Sequence, residues 1–295
     1  MRNRLFIITI YFFLSFYTNP QTIYAFPQKD DYLWVEFGKQ IKERNGSVSQ
    51  PLFIYYGRFP DKKEGILELE DLRGFYTLNE KDEEGENIFY TTAIERDKKA
   101  SFIKINSLQT NCFTVLVVGK RNSGGVRYEY LAKADFILFG HSSVKKKEVK
   151  PFVPSKEITR RMEICITPEY YCWRQIGDSV KLTPLFDKGP LGGQEIHLAD
   201  ETGNYMVIET DKLGNYIYIP PDDQKLRLKG ETAYKQTIIL AEKTVENRTH
   251  KSSYTLLVHR SRFGNMNLHL GGSILGGTMA MVFIVVVVKR KNFQL

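Results

Sequence analysis

Phe113-Thr114-Val115-Leu116-Val117-Val118, then Asn122-Ser123-Gly124-Gly125, then Tyr130-Leu131-Ala132-Lys133-Ala134 running into Phe136-Ile137-Leu138-Phe139, is the stretch that decides the fold. β-Branched and aromatic side chains dominate both apolar runs, and the Asn and Gly residues between them are those a chain reversal needs. The stretch reads as strand, turn, strand.

The same pattern extends in both directions. Upstream lie Leu33-Trp34-Val35-Glu36-Phe37, Leu52-Phe53-Ile54-Tyr55-Tyr56 and Ile88-Phe89-Tyr90, with turn signals at Asn45-Gly46 and from Gly57 to Pro60. Gly140 to Glu157 interrupts the series, because it is polar, rich in lysine and holds two prolines. A second series follows at 162–166, 179–186, 195–199, 205–210, 216–219, 225–228, 237–241 and 254–259. No amphipathic helix longer than two turns interrupts either series. The expected fold is all-β: two β-sandwich domains (Ig-like or prealbumin-like), at 26–140 and 161–262, joined by a linker at 141–160.

The two ends of the chain read as targeting segments. Arg2 and Arg4 precede an uncharged run from Leu5 to Tyr17, and Ile23-Tyr24-Ala25 ends with the small residue of a cleavage site. Residues 1–25 are therefore a signal peptide, since about 13 apolar residues fall short of the roughly 20 that span a bilayer. Leu270 to Val288 is 19 residues without an ionisable group, followed by Lys289-Arg290-Lys291. Ten of the 19 are Leu, Ile, Val or Phe, each contributing about −0.3 to −0.6 kcal/mol to insertion at a helix centre. Residues 270–288 are expected to form a transmembrane helix. The basic cluster keeps the 289–295 tail cytoplasmic and leaves the bulk of the chain outside a cell membrane that it crosses once. Gly272 and Gly276 stand four apart in that helix, where two backbones can approach closely, and mark a packing face for a transporter helix or a second copy.

Composition narrows the function. Of the formal net charge of +8, five positive charges belong to Arg2, Arg4 and Lys289 to Lys291, leaving about +3 between them. The basicity is thus topological, and a nucleic-acid partner is not expected. Cys165 and Cys172 flank Pro168 and are placed to staple a hairpin, while Cys112 is the odd thiol. Asn45-Gly46-Ser47 and Asn247-Arg248-Thr249 are glycosylation sequons.

Two turns carry the most specific local chemistry. Phe186-Asp187-Lys188-Gly189-Pro190-Leu191-Gly192-Gly193 reads as a tight turn with Gly189 supplying its conformation. Glu209-Thr210-Asp211-Lys212-Leu213-Gly214-Asn215-Tyr216 reads as a second hairpin, with Asp211 accepting turn N–H groups and Gly214 at positive φ.

With Gly177-Asp178-Ser179-Val180-Lys181-Leu182 before them, these turns resemble the second half of a bacterial exported family of uncharacterised proteins. Members of that family often accompany nickel or cobalt uptake transporters, and the hairpin pattern recurs in prealbumin-like and carboxypeptidase-regulatory-like modules. Leu33-Trp34-Val35-Glu36, Tyr56-Gly57-x-Phe59-Pro60 and Tyr130 to Ala134 carry the likeness into the first half. Family members often have a His at the mature N-terminus, and Phe26-Pro27-Gln28-Lys29-Asp30-Asp31 has none.

No enzyme signature is present: no Gly-x-Ser-x-Gly elbow, His-Glu-x-x-His, Walker loop or dinucleotide fingerprint. The acidic stretch from Glu80 to Glu86 lacks the spacing of a calcium loop. The five histidines, at 141, 197, 250, 259 and 269, are at least nine residues apart. Imidazole suits nickel and cobalt. His141, beside the linker, and His197, turned to solvent by its alternation with Ile196 and Leu198, are the candidate ligands for a nickel or cobalt ion. The expected function is a non-enzymatic, membrane-anchored binding or accessory module assisting nickel or cobalt uptake, with the membrane and transporter subunits as partners. The alternative is a surface structural or adhesion protein binding another protein or a glycan.

Overall fold

The computed structural model describes residues 31–259 except 45, 59–61, 65, 67–68, 79, 81–82, 84, 86, 97–99, 142–151, 154–157, 159–160, 168–173, 201–203 and 222–233. The signal peptide, the 270–288 segment with Gly272 and Gly276, the tail, Asn45 and Cys172 therefore lie outside the described residues. Among the described residues there are twenty strands and no α-helix. The all-β expectation holds.

The first half of the chain contributes β1 (Tyr32–Phe37), β2 (Ile41–Lys42), β3 (Val48–Arg58), β4 (Lys62–Glu64), β5 (Glu70–Thr77), β6 (Phe89–Thr92) and β7 (Glu95–Arg96). It continues with β8 (Ser101–Ser107), β9 (Gln109–Ser123), β10 (Val126–His141) and β11 (Phe152–Val153). The second half contributes β12 (Met162–Thr167), β13 (Arg174–Gln175), β14 (Val180–Phe186), β15 (Gly189–Pro190) and β16 (Glu195–Asp200). It ends with β17 (Tyr205–Glu209), β18 (Tyr216–Tyr218), β19 (Tyr234–Val245) and β20 (Arg248–His259).

A ten-stranded sheet in the order β11-β6-β5-β9-β10-β20-β19-β16-β17, with β13 beside β20, forms the central layer. One outer sheet is β1-β3-β8-β7 with β2 and β4 along β3; the other is β12-β14-β15 with β18 on β14. Alternation along β9 and β10 sends Val115, Val117, Ala132, Ala134 and Phe136 to the face covered by Leu33, Val35, Leu52, Ile54 and Ile103. The opposite face of the second half sets Ile239, Tyr254 and Leu256 against Met162, Ile164 and Leu182. In the first half, Phe75, Leu116, Val118 and Leu131 meet Phe89 and Ile158 there. Cover on both faces explains why Phe113 to Val118 is apolar without alternation.

The halves of the chain share the central sheet. β10 and β20 pair in parallel from Arg127↔Arg248 to Ala134↔Thr255, whereas the other long pairings are antiparallel. The expected linker also contains a strand, since Phe152 and Val153 of β11 pair with Tyr90 and Phe89 of β6.

β1 bonds β3 along one edge. Its other edge is satisfied by side chains from the second half. Ser253 Oγ donates to Leu33 O at 2.6 Å, Thr255 Oγ1 donates to Val35 O at 2.6 Å, and Gln236 Oε1 accepts from Phe37 N at 2.9 Å. These bonds replace the missing neighbour strand at backbone groups that are buried and would otherwise be orphaned. On the same side, Tyr32 and Trp34 pack with Ala199, Ile238 and Leu240.

Candidate functional site

Three strands place a polar row on one face of the central sheet. Register puts Lys120 of β9 opposite Glu129 of β10, and Glu129 opposite His250 of β20. A bulge in β5 between Glu70 and Arg73 carries Asp71 at φ 51°. Asp71 Oδ2 accepts from Lys120 Nζ at 2.7 Å, and its Oδ1 meets Arg73 Nε at 3.2 Å. From the overlying sheet, Arg161 enters just before β12. Its guanidinium bonds Asp187 through Nε at 2.8 Å and Nη2 at 2.5 Å, and stands 4.8 Å from the centre of the Phe186 ring. Phe186 in turn meets the His250 ring edge to face at 5.4 Å. Asp71, Arg73, Lys120, Glu129, Arg161 and His250 line a narrow pocket of about 20 Å³, with Asp187 and Phe186 behind the Arg161 guanidinium.

His250 is the informative member. The residue is 2% exposed, and its Nδ1 lies 3.2 Å from Glu129 Oε2. Burial pulls its pKa below the ordinary imidazole value; Glu129 pulls upward, and Arg161 adds to the lowering. Burial thus favours the neutral ring, and the carboxylate 3.2 Å from Nδ1 favours the tautomer with its proton there. Nε2 is then a lone-pair acceptor, buried and with no partner among the described residues. The rim is fixed by charge. The hydrogen bond from Lys120, outweighing partial burial, holds the Asp71 carboxyl below its usual range. Hydrogen bonding to Arg161 does the same for Asp187.

The two histidines expected to bind metal are not brought together. His141 ends β10, whereas His197 pairs with Leu240, which lies in the row of Ser253 and Ala132. Nine residues along a strand separate that row from His141, roughly 30 Å at about 3.3 Å per residue. Nor does His197 face open solvent. Its side chain is 12% exposed, its Nε2 lies 2.9 Å from Glu195 Oε1, and its Nδ1 hydrogen-bonds the Tyr205 hydroxyl. The Tyr205 ring, stacked on the imidazole at 5.9 Å, covers a position that alternation alone turns outward. Among the described residues, no group of three or more His, Cys, Asp or Glu side chains is placed to hold a metal ion. Cys165 pairs with Thr183 across β12 and β14; its expected partner Cys172 lies outside the described residues. Cys112, on β9 opposite Ile137, carries no disulfide.

The two glycine-rich turns shape the backbone. Asp211 Oδ1 accepts from Leu213 N at 2.9 Å and Asn215 N at 2.8 Å, and Gly214 has φ 78°. Thr210 Oγ1 donates to Leu191 O at 2.7 Å and accepts from Gln194 N at 2.8 Å, which ties the two motifs to each other. The second motif is a crossing between sheets rather than a hairpin, since β17 pairs with β16 and β18 with β14. In the first motif, Asp187 (φ 48°) and Lys188 (φ 68°) take the left-handed conformations, not Gly189.

Sequence reading missed the pocket. The polar run Thr249-His250-Lys251-Ser252-Ser253 carries no strand signal, and the Glu129–His250 contact depends on a parallel pairing between distant segments. Compared with known proteins, the chain matches no family model and no curated sequence. The likeness to the exported family is therefore carried by the quoted residues alone.

Proposed function

We propose that the chain is a membrane-anchored, extracytoplasmic binding or accessory module with no enzymatic activity, which assists a transporter in nickel or cobalt uptake. The observation that carries the anchored arrangement is the uncharged run from Leu270 to Val288 and its Lys289-Arg290-Lys291 flank, which follow closely after β20 ends at His259. The resemblance of the Gly189 to Gly193 and Thr210 to Gly214 motifs supports the transport role. His141 and His197 would then serve separate positions rather than one site. Two measurements test the reading. Protease applied to intact cells should remove the β-rich body and leave the 289–295 tail protected. The chain in detergent should bind nickel or cobalt in calorimetry and lose heat when His141 and His197 are both replaced by Ala. No heat at micromolar ion removes the metal role and leaves the topology standing.

A surface interaction protein is the second reading. Met206 and Val207 on β17, and Ile217 and Ile219 on and after β18, are 41–65% exposed at the edges of two sheets. Exposed apolar side chains on edge strands offer places where a partner could add contacts. Co-purification of a stoichiometric protein partner, lost in Val207→Lys with Ile217→Lys, favours this reading over metal uptake.

A further inference from the structure

We propose that the pocket between Arg161, Lys120 and His250 binds a tetrahedral oxyanion in its monoprotonated form: hydrogen phosphate, or the phosphomonoester end of a larger molecule. The inference is independent of the transport reading, because it concerns different residues and a ligand of opposite charge.

The charge count comes first. Arg73, Lys120 and Arg161 line the pocket with Asp71 and Glu129, and Arg127 and Asp187 flank it through ion pairs to Glu129 and Arg161, so the lining and its flank together carry one positive charge in excess with His250 neutral. Each cation also keeps unused donors. Asp187 engages Nε and Nη2 of Arg161 and leaves the Nη1 hydrogens, and Asp71 takes one of the three Lys120 hydrogens. A guanidinium held by a carboxylate on one edge presents its other edge in a fixed direction, which suits a planar fork meeting oxyanion oxygens. A divalent cation is disfavoured by the same groups.

His250 then sets which anion. Glu129 fixes the imidazole proton on Nδ1, so the buried Nε2 can only accept. An anion made entirely of acceptors, such as sulfate, would set lone pair against lone pair there. Hydrogen phosphate or a singly protonated monoester offers one P–O–H to Nε2 and its remaining oxygens to Arg161 and Lys120. The pocket of about 20 Å³ has room for one water-sized group beside the ring. One hydroxyl oxygen therefore reaches inward while the rest of the anion stays at the rim. Without ligand, a water molecule would satisfy the same nitrogen.

Place in the fold supports an external ligand. His250 lies nine residues before His259, where β20 ends, or roughly 30 Å along the strand from the exit toward the anchor. The pocket lies near the β9–β10 and β19–β20 hairpins, where Lys120, Glu129 and His250 stand, away from that exit.

Calorimetry on the full chain in detergent, with inorganic phosphate, sulfate and glycerol phosphate as titrants at about pH 6, where phosphate carries a P–O–H and about half of a monoester does, tests the proposal. Phosphate should bind at least about tenfold more tightly than sulfate, the worth of about one good hydrogen bond. Lys120→Gln, at a position with a quarter of its side chain exposed, should weaken phosphate by about tenfold. His250→Gln, whose amide can donate as well as accept, should narrow the preference over sulfate. Glycerol phosphate binding as well as phosphate assigns a monoester, and weaker binding assigns the free ion; either upholds the site. No heat with phosphate up to about 10 mM, equal affinity for sulfate and phosphate, or unchanged binding in Lys120→Gln overturns it.

Discussion

Lys235 is fully buried, and its ammonium lies 2.7 Å from Asp200 Oδ2, which is 5% exposed. The two partners are not equivalent. Asp200 also accepts from Asn204 N at 2.9 Å and Asn204 Nδ2 at 3.0 Å, so its charge keeps donors when the lysine is removed. Asp200→Ala strands a buried ammonium and should cost about 3–5 kcal/mol, whereas Lys235→Met should cost clearly less, about 1–3 kcal/mol. Urea unfolding of both variants checks the asymmetry; equal losses would mean that Lys235 is neutralised by another group. The residue scale is also where sequence reading was weakest. Charged and hydroxylic residues at Lys235 and from Thr249 to Ser253 end a strand in any hydropathy reading, which started the last two strands at Thr237 and Tyr254. The strands begin at Tyr234 and Arg248. These polar residues are buried because the central sheet has a layer on each side, and their partners sit in remote segments.

Among elements, the clearest signals were those with local causes. Ser123 pairs with Val126 across Gly124 (φ 60°) and Gly125 (φ 80°), a two-residue reversal of the kind that positive φ at both positions favours. The turn at Asp187-Lys188 has the same geometry without glycine, Phe186 pairing with Gly189 around it. Asp187 is held there by Arg161, through the paired carboxylate bonds and an N–H to Arg161 O at 2.8 Å. By residue type alone, Gly189, one position later, is the better candidate for the turn conformation. Left-handed backbone disfavours a side-chain-bearing residue by about 1 kcal/mol. Lys188→Gly should therefore stabilise the protein by a few tenths to about 1 kcal/mol. Asp187→Gly should not, because it deletes the contact that sets the turn on the pocket rim. Thermal unfolding of the two variants decides the matter, and destabilisation by Lys188→Gly would show that the lysine side chain matters more than its backbone.

For the whole molecule, strand content and class were legible, since turn residues and β-branched runs act locally. The joining of the halves was not, because no local signal specifies a parallel neighbour from the far end of the chain. A division at 141–160 makes a definite energetic claim: each half should retain its core when separated. The contacts argue otherwise. Residues 26–140 alone would expose the β10 edge along the eight pairs from Arg127↔Arg248 to Ala134↔Thr255. They would also strip β1 of the bonds from Ser253, Thr255 and Gln236, leaving several backbone groups unpaired at about 1–3 kcal/mol each where water cannot replace the partner. Trp34 would lose its cover from Ile238 and Leu240. A typical domain has only about 5–15 kcal/mol in hand, so such losses consume most of it. Separately expressed 26–140 and 161–262 should each give poorly dispersed amide spectra, and mixing them should restore dispersion. The intact 26–262 region should unfold in one denaturant transition seen alike by tryptophan fluorescence (Trp34 and Trp173) and far-ultraviolet circular dichroism. If 26–140 alone unfolds cooperatively at the midpoint of the intact chain, the shared sheet is a contact between finished domains; loss of that cooperativity makes the β10–β20 pairing the step that completes the fold.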